Sequence, residues 1–187
     1  MKKELEHPPI NFGKTGVLII NLGTPDSTSW FDIRKYLKEF LSDKRVIEVN
    51  PIIWQIILNI FILNLRPSKT ARAYKEIWMK EENISPLLYY TRQQSKKLSD
   101  SLNEKNIIID FAMRYGNPSI KSKMSALHDN VCEHLPILPF SPPSSSATPA
   151  TLSDAVYWPI MNMRWQPPMQ LTPHSDPHPF YTPPILN

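Results

Sequence analysis

An arginine and a tyrosine stand side by side at the end of an apolar stretch, where together they could bind an anionic ligand. Arg114 and Tyr115 directly follow the run Ile107–Met113 and precede a Gly-Asn-Pro break. A guanidinium donates two hydrogen bonds to one carboxylate, and a phenol adds a further donor. Open parallel sheets bind ligands at the carboxyl ends of their strands, so this pair predicts the rim of a binding site. An ordinary turn after a strand is the alternative.

The remaining residues with catalytic or metal-binding chemistry form no convincing cluster. Cys132 is the only cysteine, which excludes an internal disulfide and a Cys-ligated zinc or iron–sulfur site within the chain. His174 and His178 have a spacing that binds metal only on a helix, and Pro177 lies between them. We therefore expect a solvated loop there, no metal site and no permanently bound cofactor.

Charge and composition limit the partners and the location. The formal net charge is +4, and no block of lysine and arginine is present, so we expect no nucleic-acid partner. Gly23 follows the first apolar run, but neither a P-loop nor a dinucleotide fingerprint accompanies it, which leaves phosphate binding unsupported. The first residues lack the apolar region of a secretory signal, so we expect a cytoplasmic protein.

Alternating strands and helices must position these residues. The β-branched run Gly16–Asn21 and the runs Ile107–Met113 and His134–Phe140 predict strands. Ser29 with Asp32 predicts a helix start, and helices are expected over 29–42, 69–79 (with Ala73, Ile77 and Trp78 inward) and 86–102. Strand, helices and strand form a right-handed crossover unit. The order predicts an α/β fold with a Rossmann-like parallel sheet flanked by helices.

A second feature is the apolar stretch Ile52–Leu65, which carries no charge. Fourteen helical residues are fewer than the roughly 20 that span a bilayer. Gln55, Asn59 and Asn64 also interrupt the stretch. A buried helix is one interpretation. The other is an apolar lip that contacts a membrane surface or an apolar ligand.

The character of the chain changes near residue 130. Residues 131–187 hold 13 of the 20 prolines, one arginine and no glycine. Such a segment is not expected to pack as regular helices or central strands.

Four ordered motifs resemble the ferrochelatase family, whose members insert ferrous iron into protoporphyrin IX. Val17–Pro25 is similar to the family's opening strand and loop, and Arg34–Ile47 to its next segment. The Ser-Pro-Leu start at Ser85 and the strand end Met113–Ile120 match two further motifs. The resemblance implies a chelatase-type fold over residues 14–187, after an extension at 1–13, as the first of two similar domains.

The resemblance also implies roles for individual residues. Leu22 and Thr24 would line the floor of a porphyrin slot, and Arg114 and Tyr115 its rim. Arg66, Tyr74 and Ser85 match positions that contact the porphyrin. Trp30, Phe31 and residues 52–65 would form an apolar lip. From the residues alone, Arg66 is a surface cation, Tyr74 a half-buried helix residue and the two aromatics core residues.

The family's catalytic histidine and glutamate have no counterpart in this sequence. Its Ser-x-His-Gly-x-Pro motif is absent, so the resemblance implies an inactive fragment that lacks the C-terminal domain and needs it as a partner. Porphyrin and ferrous iron are expected as substrates of the intact enzyme. A non-catalytic porphyrin-binding or interaction domain of the same fold is the alternative, as is peripheral contact with the inner membrane through 52–65.

The family's tail motif is altered between Pro139 and Thr151. Tyrosines are replaced by serine, and a glutamine and a threonine by proline, each a change that one A-to-C substitution can produce. We interpret many tail prolines as base-call errors, with a decayed gene copy as the alternative. Resequencing the DNA distinguishes the two.

Overall fold

The chain forms a parallel sheet with helices on both faces. A computed structural model describes residues 13–47, 49–130, 132–140, 147–161 and 168–172. Its strands are β1 (Lys14–Thr24), β2 (Ile107–Gly116), β3 (Cys132–Pro139) and β4 (Met169–Leu171). Its helices are α1 (Trp30–Leu41), α2 (Pro51–Ile57), α3 (Leu63–Ile77), α4 (Pro86–Leu102), α5 (Ile120–Asp129) and α6 (Ala147–Met161), with a π-helical turn, Leu58–Ile62, between α2 and α3.

The four strands are all parallel and lie in the order β2-β1-β3-β4. The chain leaves β1 toward one neighbour and, after β2, crosses to the other side of β1, so the direction of winding reverses at β1. Such a reversal leaves a crevice at the carboxyl ends of the strands, where open α/β sheets bind ligands. The predicted fold class, a parallel sheet flanked by helices, is confirmed.

Two apolar clusters hold the helices in place. The first lies on one face of the sheet and joins α5 and α6 to the three longer strands; its members include Leu18, Ala112, Met124, Ile137, Leu152 and Val156. The second joins α1 to the helical run that contains α2 and α3; its members are Ile33, Leu37, Leu41, Leu58, Leu63 and Ala71. The sheet is thus covered by α5 and α6 on one side, while α4 contributes the buried Thr91 beside β1 on the other.

Local signals predicted the starts of α1 and α4. Ser29 caps α1, since its hydroxyl accepts a hydrogen bond from the Asp32 backbone N–H at 3.1 Å and donates to the Asp32 carboxylate at 2.9 Å. The hydrogen bond that the Ser27 hydroxyl donates to the Asp32 carboxylate, followed by the one from the Ser29 hydroxyl, lowers the pKa of Asp32. Pro86 opens α4 and Leu102 ends it, as expected.

The helix expected at 69–79 is longer and faces differently. The helical run begins at Pro51, and its inward residues in α3 are Leu63, Pro67 and Ala71. Ala73 is exposed and Ile77 is 58% exposed, so the inward positions assigned to them were wrong. Because the helical run begins at Pro51 and contains the π turn, a different side of α3 faces α1 than the sequence predicted.

The stretch 52–65 is not a buried helix. Only Leu58 and Leu63 are fully buried within it, while six large apolar side chains are more than half exposed. The apolar-lip interpretation therefore describes its geometry. Among the described residues, no helix is long and apolar enough to cross a membrane.

The Pro-rich tail packs more regularly than its composition suggests. β3 is an interior strand despite Pro136, and Pro139 lies beyond its last pair with β4. α6 includes Pro149 in its first turn, where no N–H is needed, and Pro159 in its last turn. The expectation that this segment forms no regular helix or central strand was wrong. Residues 162–167 and 173–187 lie outside the described part.

Candidate functional site

The carboxyl ends of β1 and β2 bring four of the seven residues expected at the site to one edge. Gly23 pairs with Tyr115 and Thr24 with Gly116, while Leu22 and Arg114 precede them on the same two strands. Gly23 has a φ of 119°, and a Cβ there would lie 1.9 Å from the carbonyl oxygen of Tyr115. Only glycine permits this close approach of the two backbones.

The end of β1 is fixed by a buried polar network. Asn21 accepts a hydrogen bond from the backbone N–H of Leu22 at 2.8 Å, and its amide donates to the Thr91 hydroxyl of α4 at 3.0 Å. Thr24 is only 2% exposed, and within the described residues its hydroxyl has no hydrogen-bond partner. Buried polar groups normally have partners, so Thr24 offers an unused hydrogen-bonding position at this edge.

Arg114 and Tyr115 share one carboxylate. Asp43, in the turn after α1, accepts a hydrogen bond from Nη2 of Arg114 at 2.5 Å and from the Tyr115 hydroxyl at 2.8 Å. Nε of Arg114 donates to the carbonyl oxygen of Thr151 in α6 at 2.9 Å. Arg114 therefore connects the turn after α1 with α6 at the carboxyl edge of the sheet.

The surroundings of Asp43, Arg114 and Tyr115 determine the protonation state of the Tyr115 phenol. Tyr115 is 1% exposed, and burial, followed by its hydrogen bond to Asp43, raises the pKa of the phenol. The Arg114 guanidinium lies over the Tyr115 ring, 4.4 Å from its centroid, and the side chains of Arg114 and Asp43 are 19% and 10% exposed. The phenol is thus held neutral next to a compensated ion pair.

A pocket of about 470 Å³ opens beside the cluster. Three hydrogen bonds lie close to the pocket. Glu39 accepts one from the Gly116 N–H, and Asp26 accepts one from Lys35 and one from Asn117. The lining of the pocket carries three cations and two carboxylates, and two of the cations are already paired: Arg114 with Asp43 and Lys35 with Asp26. Its lining residues are Lys35, Lys38, Glu39, Ser42, Asp43 and Arg114.

An aromatic row links Tyr74 to the strand ends. The Tyr74 ring meets Tyr36 edge to face at 6.3 Å, Tyr36 stacks on Phe40 at 6.2 Å, and Phe40 meets Tyr115 at 5.0 Å. The Tyr36 hydroxyl donates to the carbonyl oxygen of Gly23 at 3.4 Å, and burial raises its pKa. Tyr74 is half-buried at the outer end of this row.

Arg66 and Ser85 lie apart from this cluster. Arg66 is exposed on α3, eight residues before Tyr74. Ser85 is 2% exposed, and its hydroxyl accepts a hydrogen bond from the Leu88 N–H as the cap of α4. Porphyrin contact by each of the seven residues stays a prediction.

Reasoning from the sequence did not assign Asp43, Tyr36 or Phe40 to the site. Asp43 is an acid just past the end of α1, and its nearness to Arg114 is not visible in the sequence because 71 positions separate them.

No metal centre is present in the described part of the chain, where no three His, Cys, Asp or Glu side chains come together. The pair His174 and His178 lies outside the described residues. Trp30 is half-buried, whereas Phe31 is 78% exposed.

An open parallel α/β domain whose winding reverses at β1 belongs to the doubly wound class, whose members bind ligands at the carboxyl edge of the sheet. Comparison with known proteins gives the family. The ferrochelatase family profile matches residues 14–186. Ferrochelatase from Allorhizobium ampelinum is 47% identical over 183 residues, which cover 97% of this chain and 53% of that protein. The chain belongs to the ferrochelatase family.

Two further relatives of the chain are also ferrochelatases. Ferrochelatase from Agrobacterium fabrum is 46% identical over 174 residues, covering 91% of this chain and 51% of that protein. Ferrochelatase from Francisella tularensis subsp. tularensis is 47% identical over 166 residues, covering 88% and 49%. The chain thus spans about half the length of the curated relatives it matches.

Proposed function

We propose that this chain forms the first, porphyrin-binding half of an enzyme that inserts ferrous iron into protoporphyrin IX to make protohaem. The observation that carries the proposal is the convergence of Leu22, Thr24, Arg114 and Tyr115 on one sheet edge in a chain of this family. Porphyrin and iron are substrates, and no cofactor is bound permanently. Cytoplasmic location is part of the proposal.

The geometry supports a division of roles. Leu22 and the unpartnered Thr24 hydroxyl would meet the porphyrin at the end of β1. The exposed guanidinium of Arg66 has the geometry to bind a propionate through two parallel hydrogen bonds, whereas Arg114 already donates to Asp43 and Thr151. Arg114 would therefore hold the strand end and present its remaining donors to the pocket.

We propose further that the chain alone does not catalyse iron insertion. Chelation requires a base for the pyrrole protons and a ligand that delivers the metal, and the described part of the chain brings no cluster of three His, Cys, Asp or Glu side chains together. The C-terminal half found in relatives would close the slot and supply the missing histidine and glutamate.

A titration with protoporphyrin IX, followed by its Soret absorbance, tests the binding role. The chain should bind weakly because half of the slot is missing. Arg66→Ala should weaken binding about tenfold or more, the value of a hydrogen bond to a charged group. Arg92→Ala, at an exposed arginine of α4, is the control and should leave the affinity unchanged. A folded chain that binds no porphyrin would contradict the proposal.

A second experiment mixes the chain with a separately produced C-terminal half of the Allorhizobium ampelinum ferrochelatase. It distinguishes between two functions of the chain, half of an enzyme or a non-catalytic binding domain. The chain alone should form no protohaem from porphyrin and ferrous iron, and the mixture should form it. Porphyrin binding without any activity in the mixture would favour the non-catalytic alternative.

A further inference from the structure

The carboxylate of Asp43 is held by the turn that follows α1. Its Oδ1 accepts a hydrogen bond from the Arg45 N–H at 2.8 Å. The carbonyl oxygen of the same residue accepts from the Val46 N–H at 3.0 Å and from the Ile47 N–H at 3.1 Å. An aspartate that bonds to the backbone two residues further on forms a compact turn. The position of this carboxylate is therefore set by its own turn, residues 43–47.

The second oxygen of Asp43 is shared by two neighbouring residues at the end of β2, Arg114 and Tyr115, which we call the rim pair. It accepts from Nη2 of Arg114 at 2.5 Å and from the Tyr115 hydroxyl at 2.8 Å. Nε of Arg114 donates to the carbonyl oxygen of Thr151 at 2.9 Å. Because a guanidinium is planar and rigid, bonds to acceptors on two different elements fix its orientation. The N–H donors that remain on Arg114 are thereby fixed in direction too.

Asp43 also determines the net charge at this edge. The groups that face the Tyr115 phenol are Asp43 from the turn, Arg114 from β2, Thr151 from α6 and Tyr36 from α1. Burial and then the hydrogen bond to Asp43 raise the pKa of Tyr115, while the guanidinium, 4.4 Å from the ring centroid, lowers it. With its carboxylate the rim pair carries no net charge. Without the carboxylate it would carry a full positive charge.

We propose that Asp43 is a positioning residue of the porphyrin site, which holds the rim pair in one orientation and without net charge before the ligand binds. The proposal rests on the proposed function, since porphyrin is the ligand. Asp43 acts through the rim pair, because both of its oxygens already accept hydrogen bonds from the protein. Groups that are ordered in advance cost less to use in binding. A compensated cation also costs less to cover with an apolar ring than a free one.

A titration of the full chain with protoporphyrin IX, followed by its Soret absorbance, tests the role of Asp43. Asp43→Asn keeps the size of the side chain but removes its charge, and should weaken binding about tenfold. In an Arg114→Met background the same substitution should weaken binding less than about threefold, because only the bond to Tyr115 is then lost. Asp154→Asn is the matched control and should leave the affinity unchanged. This exposed acid pairs with Arg45 of the same turn rather than with the rim pair.

A second variant separates positioning from charge and from stability. Asp43→Glu keeps the charge but moves the carboxylate by one methylene. It should keep the pKa of Tyr115 raised and still weaken porphyrin binding. Asp43→Asn should lower the pKa of Tyr115, because the Arg114 cation then lacks its carboxylate. Phenolate absorbance gives both values without porphyrin, with Tyr115→Phe assigning the signal, and urea unfolding shows that each variant is folded.

The results distinguish this proposal from the proposed function. If the unsubstituted chain binds no porphyrin, the proposed function is contradicted and the positioning role falls with it. If the chain binds porphyrin and a folded Asp43→Asn or Asp43→Glu variant binds it equally well, the positioning role alone is overturned. An equal loss with and without Arg114 would overturn it as well, since Asp43 would then not act through the guanidinium. So would an equal loss in Asp154→Asn, which would assign the effect to the stability of the turn.

Discussion

Nε of Arg34 donates a hydrogen bond to the carbonyl oxygen of Leu63 at 3.1 Å, in place of a bond that the helix itself cannot make. In a regular α-helix this carbonyl would accept from residue 67, but that residue is Pro67 and has no N–H. Arg34 on α1 thereby satisfies the carbonyl and ties α1 to the start of α3. A proline inside α3 is tolerated because a second helix supplies the donor.

A double-mutant cycle measures this compensation. Arg34→Met should lower the free energy of unfolding by about 1–3 kcal/mol because it leaves a carbonyl unpaired. In a Pro67→Ala background the helix regains its own donor, so the same substitution should cost about 1 kcal/mol less. Urea unfolding of the four proteins gives the coupling. The contact with Trp30 is lost in both backgrounds and cancels. Equal costs would show that Arg34 does not act through Leu63.

The ion pair of Asp43 with Arg114 should matter more for stability than an exposed one. Asp43→Ala leaves the largely buried guanidinium without its carboxylate and should cost about 3 kcal/mol in urea unfolding. Lys35→Ala removes the pair with Asp26, whose lysine side chain is 64% exposed, and should cost less than about 1 kcal/mol. Similar costs for the two variants would show that the ion pair of Arg114 with Asp43 does not stabilise the fold more than an exposed one.

The buried phenols should ionise late. Burial raises the pKa of Tyr36 and of Tyr115 above the ordinary value of 10.0, because it disfavours the phenolate. The stability that the neutral phenols confer is therefore complete below pH 10 and is lost as the pH rises above it. A titration of phenolate absorbance should show a fraction of the tyrosines that ionises above the ordinary pKa of 10.0. Tyr115→Phe and Tyr36→Phe should each reduce this fraction. In denaturant this delay should vanish; its persistence there would exclude burial as the cause.

The close approach of β1 and β2 should make Gly23 irreplaceable. Gly23→Ala combines a φ of 119° with a Cβ 1.9 Å from a backbone oxygen, and we expect a loss of about 3 kcal/mol or more. Gly13→Ala is the control, since its Cβ would meet only the movable end of the Glu133 side chain. Thermal unfolding of the two variants gives the comparison. A small cost at Gly23 would mean that the strand ends can separate without penalty.

Much of the fold follows from signals within a few residues. β-branched runs predicted β1 and β2, with the structure extending β1 at both ends and β2 at its carboxyl end, and Ser29 and Pro86 predicted the starts of α1 and α4. These predictions succeed because capping and strand preference depend on the residues themselves and their immediate neighbours. The location of Arg114 and Tyr115 at a strand end follows from the same kind of pattern.

The sequence by itself determined β1, β2 and β3, the starts of α1 and α4, the family motifs and the apolar, uncharged character of 52–65. Only the tertiary structure decided which side chains of that run face outward, because the π turn and the contacts with α1 select the buried row. It also decided that Asp43, 72 positions from Tyr115, accepts a hydrogen bond from its hydroxyl, and that Arg34 replaces the donor missing at Pro67. Packing between distant segments sets these relations, and no local pattern encodes them.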